Sequence, residues 1–282
     1  MIKKTGEGLA AALERKYVRL RASLEDMGRV LVAYSGGVDS TLLLKVAHDV
    51  LGRGAAAVTA ASVIHPAWET REAKAIAREL GVPLTVLRVE PLEDPAFAGN
   101  PPERCYFCKQ KIFSRFLEIA RSRGIPWVAD GTNAGDVGDF RPGLRALAEL
   151  GVRSPLKEAG LTKNEIRRLS RSLGLPTADK PALACLASRF PYGTRLDKKG
   201  LRQVGRAEDI LRRLGFGQVR VRHHGAVARL EVEPRHFDRL MKAAVRNEIS
   251  RRFKKLGYAY VALDLEGYRT GSLNETLSTR RT

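Results

Sequence analysis

Six consecutive residues, Ser35-Gly36-Gly37-Val38-Asp39-Ser40, hold the densest chemistry in a chain of 282 residues. The glycines let backbone N–H groups approach a ligand, and the serine hydroxyls add donors. A helix starting here would add partial positive charge. A phosphate or pyrophosphate suits that combination. The lysine of the common nucleotide loop, G-x-x-x-x-G-K-[ST], is missing. Asp39 lies inside the turn instead, where it would repel phosphate unless Mg2+ stood between them. A glycine-rich turn with no guest is the plain alternative. Thiols form the second set: Cys105 and Cys108 make a C-x-x-C pair, and Cys185 follows 77 residues later. Structural zinc needs four ligands, and none of His48, His65, His223, His224 or His236 is local to a cysteine. A thioredoxin-like pair would follow the first strand of a βαβ unit, and this one does not. Three thiolates suit a 4Fe–4S cluster with one iron left open, able to carry an extra sulfide.

These residues need elements to position them. Residues 29–34 form a short apolar run of strand type, and residues 41–47 have the density of a helix, so the six-residue turn falls between a buried strand and a helix start. Further strands are expected at 55–63, 83–89 and 127–130, with helices at 7–27 and 68–80, and another into which the 104–109 stretch leads, running to about 121. Alternation of this kind predicts a doubly wound parallel sheet, in which the turns at 35–40, 62–66 and 131–136 share the crevice at the carboxyl ends of the strands. An irregular stretch, 90–103, contains four prolines. Thr162 and Glu165 form a capping box for a helix to about 173. A hinge is placed at 176–195. Helix (197–214), strands (218–223, 226–232), helix (234–256) and strand (258–263) then make a smaller α+β domain, followed by a loose basic tail at 270–282. The expected division is 1–180 and 181–282.

The formal net charge is +19, and residues 196–282 carry 20 basic against 10 acidic side chains. Such an excess fits nucleic acid, an enzyme with phosphate and carboxylate substrates, or simply a solvated arginine-rich surface. No apolar run approaches the roughly 20 residues of a membrane span. The first residues lead into a polar amphipathic helix rather than an export signal, so a cytoplasmic location is expected. An odd number of cysteines argues against a disulfide framework.

In this setting SGGVDS resembles the PP-loop of ATP pyrophosphatases, which cleave ATP between the α- and β-phosphates. With NPPERCYFCK (100–109), GTNAGD (131–136), DFRPG (139–143) and CLASRFPYG (185–193), the chain resembles the LarE family from about Val30 to Tyr268. These are ATP-dependent sulfur transferases that mature the nickel-pincer nucleotide cofactor of lactate racemase. The resemblance implies that a carboxylate of pyridinium-3,5-biscarboxylic acid mononucleotide attacks ATP, giving an acyl-adenylate and pyrophosphate. Sulfur then displaces AMP to leave a thiocarboxylate. It implies that Ser35, Gly36, Gly37, Asp39 and Ser40 hold pyrophosphate and Mg2+, with Thr132 and Asp136 completing the nucleotide pocket. Ser188, Arg189, Arg220 and Arg222 become candidates for the substrate phosphate, and Glu208 and Glu231 for a metal. Single-cysteine members sacrifice the residue matching Cys185. With all three cysteines, this chain matches the branch in which Cys105, Cys108 and Cys185 hold an iron–sulfur cluster. The implied partner is a small anionic nucleotide, and family members form homo-oligomers.

A PP-loop tRNA thiolase is the competing enzyme. It would also use three cysteines and a basic surface, but the sequence shows no separate RNA module and only 6% aromatic residues. An ammonia-dependent amidotransferase has no use for the cysteines, and a non-enzymatic iron–sulfur sensor has none for the PP-loop.

Overall fold

The computed structural model describes residues 2–138, 142–181, 184–269 and 271–275. Asp139, Phe140 and Arg141 of DFRPG and the tail from 276 lie outside them. The chain divides into two compact units, 1–90 with 103–183 and 91–102 with 184–282. Neither unit is one run of chain. The proline-rich stretch, expected to belong with the first domain, clusters with the second.

In the first unit α1 (Ile2–Met27) precedes β1 (Val30–Ala33), α2 (Val38–Leu51), β2 (Ala55–Ala61), α3 (Ala67–Glu79) and β3 (Leu84–Arg88). After the excursion through α4 (Pro95–Ala98) come α5 (Arg104–Ser122), β4 (Trp127–Ala129), α6 (Pro142–Glu149), α7 (Pro155–Glu158) and α8 (Lys163–Ser172). The strands pair in parallel in the order β3-β2-β1-β4. Val30 stands beside both Ala55 and Trp127. Side-chain alternation along β1 feeds two cores. Val30 and Val32 join α1 and α2 residues such as Leu20, Leu24, Leu42 and Leu43. Leu31 joins Val58, Val128 and the α5 residues Phe113 and Phe116. Because the chain moves from β1 out to β3 and returns to β4 on the other side, the order reverses between β1 and β4. Ligand crevices form at such a point.

The second unit contains α9 (Lys198–Arg213), β5 (Val219–His224), β6 (Val227–Val232), α10 (Phe237–Met241), α11 (Ala243–Lys255) and β7 (Tyr260–Leu263). β5 and β6 are antiparallel, and β7 joins β6 in parallel. Gly225 turns the hairpin with φ +61°. The helix expected over 234–256 is divided: Lys242 has extended backbone (φ −57°, ψ 130°) between α10 and α11. The 91–102 stretch is tied in through Asn100. Its side chain donates to the Pro191 carbonyl at 2.8 Å, and its own carbonyl accepts from Gly193 N at 2.9 Å. No helix among the described residues is long and apolar enough to cross a membrane.

Candidate active site

The SGGVDS turn connects β1 to α2 at the order reversal. The Ser35 and Ser40 hydroxyls lie 3.1 Å apart, and Gly37 N donates to Ser35 Oγ at 3.4 Å. Gly37 supplies no side-chain cap to α2, so the first helical N–H groups remain available to a ligand. Gly36 has φ +71°, and an added Cβ would stand 3.1 Å from Ala73 Cβ on α3. Only glycine fits both demands. The loop after β4 closes the other side. A Cβ on Gly131 would be 3.0 Å from Ser40 N, so this glycine permits the close approach of that loop to the first turn of α2.

Together they frame a cavity of about 470 Å3, with Ser35, Asp39, Ser40, Thr132 and Asp136 at its polar wall and Val58, Ile112, Phe113 and Phe116 as apolar lining. The predicted turn residues and the predicted pair Thr132 and Asp136 are thus brought together. Asp39 carries a cation already: Lys163, the first residue of α8, donates to it, and Asn133 Nδ2 approaches its other oxygen at 3.4 Å. Asp130 accepts from Thr132 at 2.5 Å and from Ser154 at 2.7 Å, and Asp136 accepts from Asn133 N at 3.0 Å. His65 also lines the cavity, and its Nδ1 is buried with no partner. Burial pushes its pKa down to about 4, so the ring is neutral at pH 7. Sequence reasoning missed Lys163, Asn133, Asp130 and His65. The capping box did place Lys163 at a helix start, and both bonds of that box are present.

Cys105 and Cys108 stand on the first turns of α5. Cys105 is exposed, while Cys108 is half-buried against the Phe113 core, and no disulfide joins the described cysteines. Among the described residues no three His, Cys, Asp or Glu side chains gather as a metal site requires. Of the three thiols expected as ligands, the first unit carries Cys105 and Cys108.

In the second unit, Cys185 precedes a single helical turn, Leu186–Arg189. Arg189 Nη1 donates to the carbonyls of Ala184 (2.8 Å) and Cys185 (3.1 Å), and Ser188 Oγ donates to the Cys185 carbonyl at 2.8 Å. The rest of the Arg189 guanidinium makes a two-pronged pair with Glu208, at 2.8 and 2.9 Å. Arg222 pairs likewise with Glu231, at 2.7 and 2.8 Å, and its Nη1 donates to the Ser188 carbonyl at 2.6 Å. Glu208 and Glu231, expected as metal acids, are the counter-charges of two buried arginines in this structure. Arg220 lies against the Tyr268 ring, 5.0 Å from its centroid. Burial first, and then the neighbouring Arg189 charge, lowers its pKa below the usual arginine range.

Sequence comparison adds names to this geometry. No family model matches. The chain is 44% identical over 266 residues to an uncharacterised protein of Synechocystis sp., covering 94% of this chain and 99% of the other. It is 43% identical over 270 residues to the pyridinium-3,5-bisthiocarboxylic acid mononucleotide synthase of Lactiplantibacillus plantarum, covering 95% and 97%. It is 29% identical over 212 residues to the tRNA-specific 2-thiouridylase MnmA of Caulobacter sp., covering 60% of this chain and 51% of that protein.

Proposed function

Because the chain belongs to the LarE family, that of the pyridinium-3,5-bisthiocarboxylic acid mononucleotide synthase, a sulfurtransferase of cofactor biosynthesis, we propose that it adenylates a pyridinium carboxylate with ATP and exchanges the activated oxygen for sulfur. The observation that carries this reading is the SGGVDS turn opening onto a cavity with a polar and an apolar wall. A carboxylate oxygen of pyridinium-3,5-biscarboxylic acid mononucleotide attacks the α-phosphorus and pyrophosphate leaves. A sulfur nucleophile then adds to the acyl carbon and AMP leaves. Ser35, Ser40 and the loop N–H groups receive the departing pyrophosphate, and Lys163 supplies the positive charge that the turn itself lacks. The apolar wall at Phe113 and Phe116 suits a base.

The donors at the turn fit Mg2+. Asp39 and Asp136 offer hard carboxylate oxygens, and Asp39 already accepts a cation. Bound there, Mg2+ would neutralise polyphosphate charge. The three thiols fit iron by their softness, so Cys105, Cys108 and Cys185 would hold the 4Fe–4S cluster, a source of sulfide when bound. In the second unit Arg220 and Ser188 would meet the substrate phosphate, with Arg189 and Arg222 fixing the loop beneath them.

The test is pyrophosphate release with the pyridinium dicarboxylate against release with tRNA. Release with the dicarboxylate alone is expected, and release with tRNA alone would replace this reading by the thiolase one. Asp39→Ala is expected to cut release by about a hundredfold or more. Cys105→Ala should keep release and lose sulfur transfer.

A further inference from the structure

We propose that Lys180 is a positioning residue that aims the backbone of the 35–40 turn through the Gly36 carbonyl, an inference that rests on the nucleotide reading of that turn. Lys180 Nζ donates to Gly36 O at 2.8 Å and pairs with Glu72 Oε2 at 3.1 Å. Its side chain is only 10% exposed and lies over the Trp68 ring, 5.8 Å from the centroid. The backbone that presents it is clamped. Arg167 of α8 donates from Nη1 to Ala178 O at 2.6 Å and from Nη2 to Lys180 O at 2.8 Å, and Lys180 N donates to Thr177 O at 3.0 Å. A lysine 144 residues from Gly36 in sequence is thus delivered to one peptide group.

The consequence follows from peptide geometry. No described peptide is cis, and a planar trans unit directs its C=O and N–H to opposite sides. Holding the Gly36 oxygen on Lys180 turns the Gly37 N–H the other way, onto Ser35 Oγ at 3.4 Å, beside the cavity. A phosphate-binding turn depends on this choice. With the peptide flipped, a carbonyl oxygen would face the anion and one donor would be lost. Glycine at 36 has the rotational freedom for such a flip, so something outside the turn has to fix it. An ammonium is suited to the task, because its hydrogen bonds to a carbonyl are charge-assisted. The two lysines that reach the turn thereby differ in what they hold: Lys163 sits on the Asp39 carboxylate, Lys180 on the main chain.

The experiment follows the Gly37 amide resonance of 15N-labelled full-length chain during titration with inorganic pyrophosphate. In the wild type that resonance is expected to shift as pyrophosphate binds. Lys180→Met is expected to move it before any ligand is added and to weaken pyrophosphate binding about tenfold, the scale of one lost charge-assisted hydrogen bond. Lys180→Arg should restore most of both. Arg167→Lys, which loosens the 178–180 backbone and keeps the ammonium, should displace the resonance in the same direction by less, and serves if the Lys180→Met chain does not fold. Weaker binding by Lys180→Met with an unmoved Gly37 resonance would overturn the inference and make Lys180 a direct phosphate ligand. Unchanged binding and resonance in that variant would also overturn it, leaving the nucleotide reading intact. No pyrophosphate binding by the wild type would overturn both.

Discussion

The SGGVDS turn and the loop that carries Cys185 are both short irregular segments beside a sheet, but they are secured in opposite ways. At the turn the fixing contacts go to backbone and to one carboxylate, and the helix-start N–H groups and serine hydroxyls face a cavity. At the Cys185 loop, two guanidiniums are buried, each matched by a carboxylate, with further N–H groups donating to the loop carbonyls and to the Ser188 and Ser272 hydroxyls. The first arrangement leaves polar groups lining a cavity. The second holds one main-chain shape at the cost of desolvating four charges, and it works only while every member is present. Cross-strand register makes this acute: Arg222 stands directly opposite Arg229, and Glu231 binds both, at 2.7 and 3.2 Å.

The contrast can be broken at Glu231. Glu231→Ala leaves the buried Arg222 without its counter-charge, while Arg229 keeps Asp264 at 2.8 Å, and is expected to cost about 3–5 kcal/mol in urea unfolding. A loss under about 1 kcal/mol would show the brace to be dispensable. The next effect belongs to the cavity and depends on pH. Burial lowers the His65 pKa from 6.5 to about 4, so the unfolded chain takes up this proton first. Its contribution is complete above pH 6.5 and declines as the pH falls toward 4, by about 3 kcal/mol. Comparing urea midpoints across that range, His65→Gln should give a flatter profile than the wild type.

Gly36→Ala sharpens the contrast from the other side. The positive φ and the 3.1 Å contact with Ala73 predict a loss of about 1–2 kcal/mol in stability, with a larger proportional loss of ATP turnover. Equal turnover would mean that the turn tolerates reshaping. The smallest effect comes from a pair of the same chemistry placed outside. Arg153 and Glu158 are bonded in two prongs like Arg222 and Glu231, but are 36% and 36% exposed against 8% and 1%. The Arg153 hydrogen bond, opposed by partial burial, holds the Glu158 carboxyl below its ordinary value of 4.5. Its stabilisation is present above that value and is lost as the pH falls through the depressed one. Glu158→Gln should therefore cost only about 0.5 kcal/mol at pH 7 and converge with the wild type in acid.

The parts legible in the sequence were those fixed by neighbours along the chain. The run at 29–34 became β1 because its residues are apolar on both faces, with β-branched Val30 and Val32 on one of them, and the SGGVDS turn had to follow. Strands expected at 83–89 and 226–232 appear at 84–88 and 227–232, and the Thr162 capping box is intact. What was not legible depends on distant pairing. Nothing local marks Lys163 as the partner of Asp39, 124 residues away, or Glu231 as the counter-charge of Arg222. Basic residues at 220 and 222 look like any exposed cations until the sheet buries them. Periodicity also carried the 234–256 helix straight through Lys242, where the backbone is extended.

The excursion of residues 91–102 makes the chain indivisible. A fragment beginning at 184 would lack Asn100, whose side chain and carbonyl hold Pro191 and Gly193, and Ala98, whose carbonyl accepts from Leu196 N at 2.8 Å. A fragment ending at 183 would carry that same strip with its partners gone. Neither half is a cassette that could be cloned alone, swapped between relatives or gained in a single fusion. Insertions and permuted termini will be tolerated only where they leave this strip connected at both ends.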